Sequence, residues 1–107
     1  MPILTYDKDN FYIDGKKTRM LSGAIHYFRV VPEYWEDRLK KLKAMGLNTV
    51  ETYMCWNLHE RREGEFDFDG ILDVSRFIGI AERLGLYVIV RPGPYICAEW
   101  DFGGLPA

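Results

Sequence analysis

Three segments of the sequence place aromatic rings beside carboxylates, amides and imidazoles. Aromatic faces stack on the apolar C–H faces of sugars, and carboxylates and amides form hydrogen bonds with pairs of hydroxyl groups. This combination predicts a neutral polyol as the ligand. Phosphate is disfavoured because no Gly-rich cradle or Arg/Lys cluster lies at a predicted strand end. The candidate residues are His26, Tyr27, Tyr53, Trp56, Asn57, His59, Glu60, Tyr95, Glu99 and Trp100.

Each of these segments follows a stretch whose residues predict a β-strand. The three strands begin after Met20, Asn48 and Leu86, and the second and third are almost entirely apolar or β-branched. Each of these two strands is preceded by a predicted helix that ends in Gly-Leu, and Gly85 follows Gly46 by 39 residues. A helix-then-strand unit repeated at this interval indicates parallel strands joined by crossovers.

Two amphipathic helices are predicted between the strands. Pro32 suits the first turn of the first helix, and Gly46 and Gly85 stand where C-terminal caps belong. Apolar residues recur at helical spacing on one face of each helix. These residues are Trp35, Leu39, Leu42 and Met45 in the first helix, and Val74, Phe77, Ile78, Ala81 and Leu84 in the second.

The first 18 residues are predicted to form a small β-hairpin that introduces the larger sheet. Residues 7–10 are a cluster of turn formers, and residues 11–13 make a short aromatic strand. Asp14-Gly15 then supplies the positive φ that a tight hairpin turn needs. The predicted organisation is a hairpin over residues 1–18, followed by sheet-and-helix units over residues 19–107.

Two architectures fit parallel strands that are apolar on both faces, a doubly wound sheet and a (β/α)8 barrel. Nucleotide-binding doubly wound proteins carry a Gly-rich turn after the first strand, whereas this chain has "HYFRVVPEYW" there. The predicted fold class is therefore α/β, an N-terminal β-hairpin plus the first three βα strands of a TIM barrel. A complete barrel of this class needs eight strands, so we expect the chain to form only part of a barrel.

Composition restricts the class of partner. The 107 residues carry a net charge of −2, which gives no reason to expect nucleic acid or an anionic membrane. The two cysteines, Cys55 and Cys97, are too few for a disulfide scaffold or a zinc site. No apolar run resembles a signal peptide or is long enough to span a bilayer. We therefore expect a cytoplasmic protein with free thiols, no metal and no cofactor.

Several motifs together resemble the N-terminal part of the catalytic barrel of glycoside hydrolase family 35 β-galactosidases. They are "SGAIHYFRV", "PEYWEDRLKKLKAMGLNTVETY", "WNLHE" and "RPGPYICAEWDFGGLPA", and the resemblance runs from about Phe11 onward. It implies retaining hydrolysis of terminal β-galactosides by two glutamates, without metal. Both glutamates would follow Ala107, the acid/base in an Asn-Glu pair on strand 4 and the nucleophile on strand 7. This sequence contains no Asn-Glu pair, so we expect the chain to lack both and to be inactive alone.

Part of a galactose-binding shell maps onto this chain through the resemblance. Tyr53, in "ETYMCWN", corresponds to a tyrosine that contacts galactose near the nucleophile. The "ICAE" segment corresponds to Ile96, Cys97, Ala98 and Glu99, where the Ala98 backbone and the Glu99 carboxylate are expected to hold galactose hydroxyls. The sequence departs from the family pattern "VPWNLHEP" just outside these contacts, at Met54, Cys55 and Arg61.

Other polar residues are predicted to be structural. His26 and His59 are expected to form structural hydrogen bonds, because no metal-ligand spacing accompanies them. Cys97 is expected to be a buried, inert thiol. Glu51 and Arg91 end adjacent strands, which allows a buried ion pair between them.

Two further hypotheses remain open. One is a minimal enzyme that uses Glu60 and Glu99 as its carboxylate pair, although three strands are too few to exclude water. The other is a standalone carbohydrate-binding or assembly module. As a fragment of a barrel, the chain would expose unpaired sheet edges, and its helices would face incomplete partners. We therefore expect a homo-oligomer, or the remainder of a barrel, to cover them.

Overall fold

A computed structural model of the chain describes residues 2–107. It contains two separate three-stranded sheets. The first is an antiparallel sheet of β1 (Leu4–Tyr6), β2 (Phe11–Ile13) and β3 (Lys16–Thr18). The second is a parallel sheet in the order β4 (Ser22–Ala24), β5 (Thr49–Tyr53) and β6 (Tyr87–Arg91). Helices α1 (Trp35–Ala44), α2 (Trp56–His59) and α3 (Val74–Arg83) complete the regular elements, and they confirm the predicted α/β class.

The N-terminal sheet corrects the predicted hairpin in one respect, the number of its strands. The β2–β3 hairpin is present, with φ of 52° at Asp14 and 79° at Gly15 in its turn. However, β1 pairs with the other side of β2, so the unit has three strands. It also forms a sheet of its own and does not join the parallel strands. The turn before β2 is closed by the Asp7 carboxylate, which accepts hydrogen bonds from two backbone amides and from the Tyr12 hydroxyl.

The connection from β4 to α1 consists of two 3₁₀ turns, Tyr27–Arg29 and Pro32–Tyr34. Pro32 opens the second turn and α1 follows directly, so Pro32 lies in a 3₁₀ turn before the helix and not, as predicted from the sequence, in the first turn of the helix. At the start of α3 the Asp73 carboxylate accepts a hydrogen bond from the Arg76 amide and so caps the helix. Both helices end before a glycine with positive φ, Gly46 and Gly85, as the sequence predicts.

The core lies between the two long helices and the parallel sheet. Trp35 of α1 packs edge-to-face on Phe77 of α3, with ring centroids 5.5 Å apart. The predicted stripes are largely correct, but Met45 follows the last residue of α1 and is 77% exposed. Ile80 is buried although it was not assigned to the stripe, because α3 packs on both α1 and β6 and so buries a wider face.

No helix within residues 2–107 is both long enough and apolar enough to cross a membrane.

Candidate functional site

The candidate site lies at one edge of the parallel sheet. Because β4, β5 and β6 run in the same direction, their carboxyl ends meet at that edge. The segments that follow the three strands contact one another there, and they contain nine of the ten polar and aromatic candidates named from the sequence. The tenth, Tyr53, is the last residue of β5. The three segments therefore converge at this edge of the sheet.

Tyr53 is the last residue of β5, and its side chain is buried. Its ring lies 5.4 Å from the His26 ring, and the Arg91 guanidinium stands 4.4 Å from its centroid. The Tyr53 amide also donates a hydrogen bond to Nδ1 of His26, at 3.3 Å. Arg91 is fixed in turn by Glu51, with Nη1 3.1 Å from Oε1. Tyr53 is thus held rigidly, with cationic and imidazole groups around its ring.

The Glu51–Arg91 ion pair is present, but the prediction that it is buried is wrong. The Arg91 side chain is 53% exposed and that of Glu51 is 28% exposed. The reason is that β6 is an edge strand of the sheet, so the outer side of Arg91 has no neighbouring strand within residues 2–107.

The loop after β6 holds the other four residues implied by the family resemblance. Ile96 and Ala98 are buried, whereas Cys97 and Glu99 are exposed. The expectation of a buried Cys97 thiol is therefore wrong, because successive side chains alternate along this segment and Cys97 points away from its buried neighbours. The loop closes on itself through a 2.7 Å hydrogen bond from the Ile96 amide to the Gly103 carbonyl.

Two residues from the preceding loops brace this loop. The Arg29 guanidinium donates hydrogen bonds to the carbonyl oxygens of Ala98 and Glu99 and lies 5.4 Å from the centre of the Trp100 ring. Oδ1 of Asn57 accepts a hydrogen bond from Nε1 of Trp100, at 3.0 Å. Sequence reasoning missed Arg29. The signal that could have found it is a guanidinium set among apolar and aromatic residues immediately after a strand.

His59 is structural, as predicted. Its Nδ1 is 2.7 Å from the Asp67 carbonyl oxygen, and its Nε2 is 2.5 Å from the Tyr27 hydroxyl. Since a carbonyl can only accept, Nδ1 carries the proton, and Nε2 of the neutral ring accepts from the hydroxyl. Burial raises the pKa of Tyr27, so the hydroxyl keeps its proton and remains a donor. The prediction of a structural role for His26 is confirmed by its bond to the Tyr53 amide.

Both carboxylate oxygens of Glu60 are already engaged. Oε1 accepts a hydrogen bond from Nε1 of Trp56 and Oε2 accepts one from the Gly64 amide, each at 2.7 Å. These bonds, first of all the one from Trp56, lower the pKa of Glu60. A general acid needs a raised pKa, so this environment disfavours the hypothesis that Glu60 and Glu99 form a catalytic pair.

The two thiols are free. Cys55 is buried, and burial raises the pKa of its thiol to about 11, which disfavours the reactive thiolate. Among residues 2–107, no group of three or more His, Cys, Asp or Glu side chains is placed to hold a metal ion.

The fold resembles that of glycoside hydrolase domains. A cellotetraose complex of an endocellulase from Pyrococcus horikoshii superposes with a TM-score of 0.56, over 95% of this chain and 36% of that one. A structure of a hyperthermostable endocellulase gives a TM-score of 0.55, over 83% of this chain and 30% of that one. Sequence identities are 15% and 18%, so the likeness concerns the fold alone.

The chain belongs to glycosyl hydrolases family 35, whose sequence profile matches residues 10–107. It is 57% identical to a beta-galactosidase of Mus musculus over 104 residues, which cover 97% of this chain and 16% of that protein. It is 59% identical to beta-galactosidase-1-like protein 3 of Rattus norvegicus, over 91% of this chain and 15% of that protein. Beta-galactosidase 17 of Arabidopsis thaliana is 52% identical, over 92% of this chain and 14% of that protein. The chain thus spans about one sixth of the length of these relatives.

Proposed function

We propose that the chain forms the first three βα strands of an incomplete (β/α)8 barrel and contributes galactose-binding residues to a retaining β-galactosidase. The observation that carries this proposal is the convergence of Tyr53 and the Ile96–Glu99 loop at the carboxyl edge of one parallel sheet. Function collects at that edge in barrels of this class. Membership of the family supports a β-galactoside as the substrate.

The proposed ligands fit a neutral sugar. Glu99 presents an exposed carboxylate, which can accept hydrogen bonds from two hydroxyl groups. Tyr53 ends the neighbouring strand β5 with its side chain 7% exposed, and the Ile96–Ala98 segment supplies backbone groups. No nucleic acid and no membrane enters this proposal, and the expected cytoplasmic location stays a prediction.

We further propose that neither catalytic glutamate lies within these 107 residues. Retaining hydrolysis needs two carboxyl groups about 5–5.5 Å apart, one with a raised pKa. Glu60 has the opposite environment, and Tyr53 and Glu99 are assigned to binding. We therefore expect the isolated chain to bind galactose weakly and to hydrolyse nothing.

The uncovered sheet edges support a further part of the proposal. Ile89 and Val90 of β6 are 37% and 36% exposed, and β4 and β6 are both edge strands. Unpaired apolar edges associate with other strands. The remainder of a barrel would cover them in a longer chain, and a second copy would do so in the isolated chain. Light scattering of the purified chain should therefore show a dimer or larger species, and a monomer at every concentration would contradict this part.

Galactose titration followed by NMR of the backbone amides tests the binding role. We expect shifts confined to Tyr53 and residues 96–100, weakened by Glu99→Gln and unchanged by Glu82→Gln, which removes an exposed carboxylate on α3. Hydrolysis of a chromogenic β-galactoside by the same sample should not exceed the blank. Turnover that Glu99→Gln abolishes would place the catalytic pair within this chain and overturn the proposal.

A further inference from the structure

We propose that Arg29 is a positioning residue for the galactose-binding loop, and that its guanidinium fixes the backbone of Ala98 and Glu99 in the binding conformation. The inference rests on the proposed function for what the loop binds. The effect of Arg29 on the loop conformation does not depend on the identity of the ligand, and it can be tested without any sugar.

The contacts of Arg29 bridge two distant parts of the chain. Arg29 ends the 3₁₀ turn after β4, and its Nη2 donates to the carbonyl oxygen of Ala98, 69 residues away in sequence. The same nitrogen lies 3.2 Å from the carbonyl oxygen of Glu99. Two successive carbonyl groups therefore point toward a single donor. An extended strand cannot do this, because its successive carbonyls point in opposite directions.

The backbone conformation at Glu99 shows what this arrangement requires. Glu99 has a φ of 50°, in the left-handed region that a residue with a Cβ disfavours. Such a conformation persists only where surrounding contacts hold it. The bonds from Arg29 to the Ala98 and Glu99 carbonyls are contacts of this kind, and they involve the backbone only, so the exposed Glu99 carboxylate stays free of them.

The guanidinium group is chemically suited to this position. Its plane can lie over the Trp100 ring, 5.4 Å from the centroid, while its N–H groups donate to the carbonyl groups. Trp100 is itself fixed by Asn57, so the guanidinium has a rigid surface to lie on. A lysine ammonium provides charge without a planar donor fork, and we expect Arg29→Lys to restore the loop only in part.

The experiment compares Arg29→Ala and Arg29→Lys with Arg38→Ala in the 107-residue chain. Arg38 is a matched control. It is also exposed, and its guanidinium also lies 5.4 Å from the centre of an aromatic ring, that of Tyr34, but Arg38 belongs to α1 and not to the turn after β4. We expect Arg29→Ala to move or broaden the backbone amide signals of residues 98–100 while the signals of β5 stay in place. Arg38→Ala should leave residues 98–100 unchanged.

Rescue by added guanidinium ion separates positioning from general loss of structure. Arg29 is exposed, so its removal leaves a position that the free ion can enter. Millimolar guanidinium should return the signals of residues 98–100 in Arg29→Ala toward those of the wild type and have no such effect on Arg38→Ala. The apparent Kd for galactose should rise by about tenfold in Arg29→Ala and fall again when guanidinium is added. The reason is that the apparent Kd is inversely proportional to the fraction of molecules whose loop has the binding conformation.

Two results would overturn the inference. One is a set of loop amide signals in Arg29→Ala that matches the wild type. The other is a perturbed loop that free guanidinium leaves unrestored and Arg29→Lys leaves as perturbed as Arg29→Ala. If Arg29→Ala does not fold, the test uses Arg29→Lys alone. Amide signals of residues 98–100 that match the wild type in Arg29→Lys would then overturn the inference. If the wild-type chain shows no response to galactose, that result counts against the proposed function. The amide signals of residues 98–100 in the Arg29 variants still test whether Arg29 positions the loop.

Discussion

The hydroxyl of Tyr27 lies 2.5 Å from Nε2 of His59, and both side chains are buried. The pair joins the turn after β4 to the short helix after β5, and the second ring nitrogen of His59 ties this contact to the Asp67 carbonyl. Two of the three loops at the carboxyl edge of the sheet are therefore held together by a chain of hydrogen bonds whose Tyr27–His59 bond is buried.

Replacing Tyr27 with Phe should lower the free energy of unfolding by about 1–3 kcal/mol, since Nε2 of His59 would be left buried without a donor. Urea unfolding measured at neutral pH checks this value. Tyr6→Phe is the matched control, because Tyr6 is 79% exposed and its loss of a hydroxyl should change stability by less than about 0.5 kcal/mol. Equal effects of the two variants would show that the buried bond contributes nothing of its own.

Stability should fall as pH drops below the ordinary histidine pKa of about 6.5, because of His26. Burial, helped by the nearby Arg29 charge and opposed by Glu51, lowers the pKa of His26 in the folded chain. The unfolded chain then takes up a proton at a higher pH than the folded chain does. The stabilisation is present above the unfolded pKa and is lost as pH falls toward the folded one.

The measurement for His26 is urea unfolding at about pH 7.5 and about pH 5.5, on either side of the ordinary value. His26→Asn is the comparison, since its amide oxygen can accept the bond from the Tyr53 amide without titrating. We expect the wild type to lose more stability over this interval than the variant. The same loss in both proteins would assign the pH dependence to other groups.

Gly103→Ala should destabilise the loop after β6 for two reasons. Gly103 has a φ of 61°, and a Cβ built there would lie 2.1 Å from Cε2 of Tyr95, so the Tyr95 ring would have to move. Gly64→Ala shares the positive φ, at 81°, but its Cβ would meet nothing within 4 Å. We expect a loss of about 1 kcal/mol for Gly64→Ala, from backbone strain, and roughly 1 kcal/mol more for Gly103→Ala, measured by urea unfolding.

The Glu51–Arg91 ion pair should contribute little in the isolated chain. Its side chains are 28% and 53% exposed, and exposed pairs of this kind have coupling energies of about 0–1 kcal/mol. A double-mutant cycle with Glu51→Gln and Arg91→Met measures the coupling, which should weaken further in high salt. A coupling above roughly 2 kcal/mol would indicate that a partner surface covers the pair in solution.

Local chemistry accounts for the features that were predicted correctly. The Asp14-Gly15 turn and the glycines that end α1 and α3 follow from backbone preferences of single residues. The apolar stripes follow from periodicities of a few residues, and the parallel strands follow from the helix-then-strand unit that recurs after 39 residues. The lack of metal-ligand spacing around His26 and His59 predicts structural roles for both.

The errors concern positions whose burial depends on what packs beside them. Met45 continues the helical spacing of the apolar stripe but lies beyond the last residue of α1. Cys97 is exposed because its side chain points away from its two buried neighbours, Ile96 and Ala98. Arg91 is exposed because β6 is an edge strand. Periodicity identifies a face of an element, but whether that face is covered depends on the neighbouring element.

The sequence by itself determined the alternation of helix and strand, the α/β class and the aromatic and carboxylate character of the three loops, because these properties reside in short stretches of chain. Only the tertiary structure decided which side chains of those loops meet. Arg29 reaches Ala98 across 69 residues, and Tyr27 reaches His59 across 32. Such contacts depend on the register of three parallel strands, which brings the loop ends to one edge at distances that no local pattern encodes.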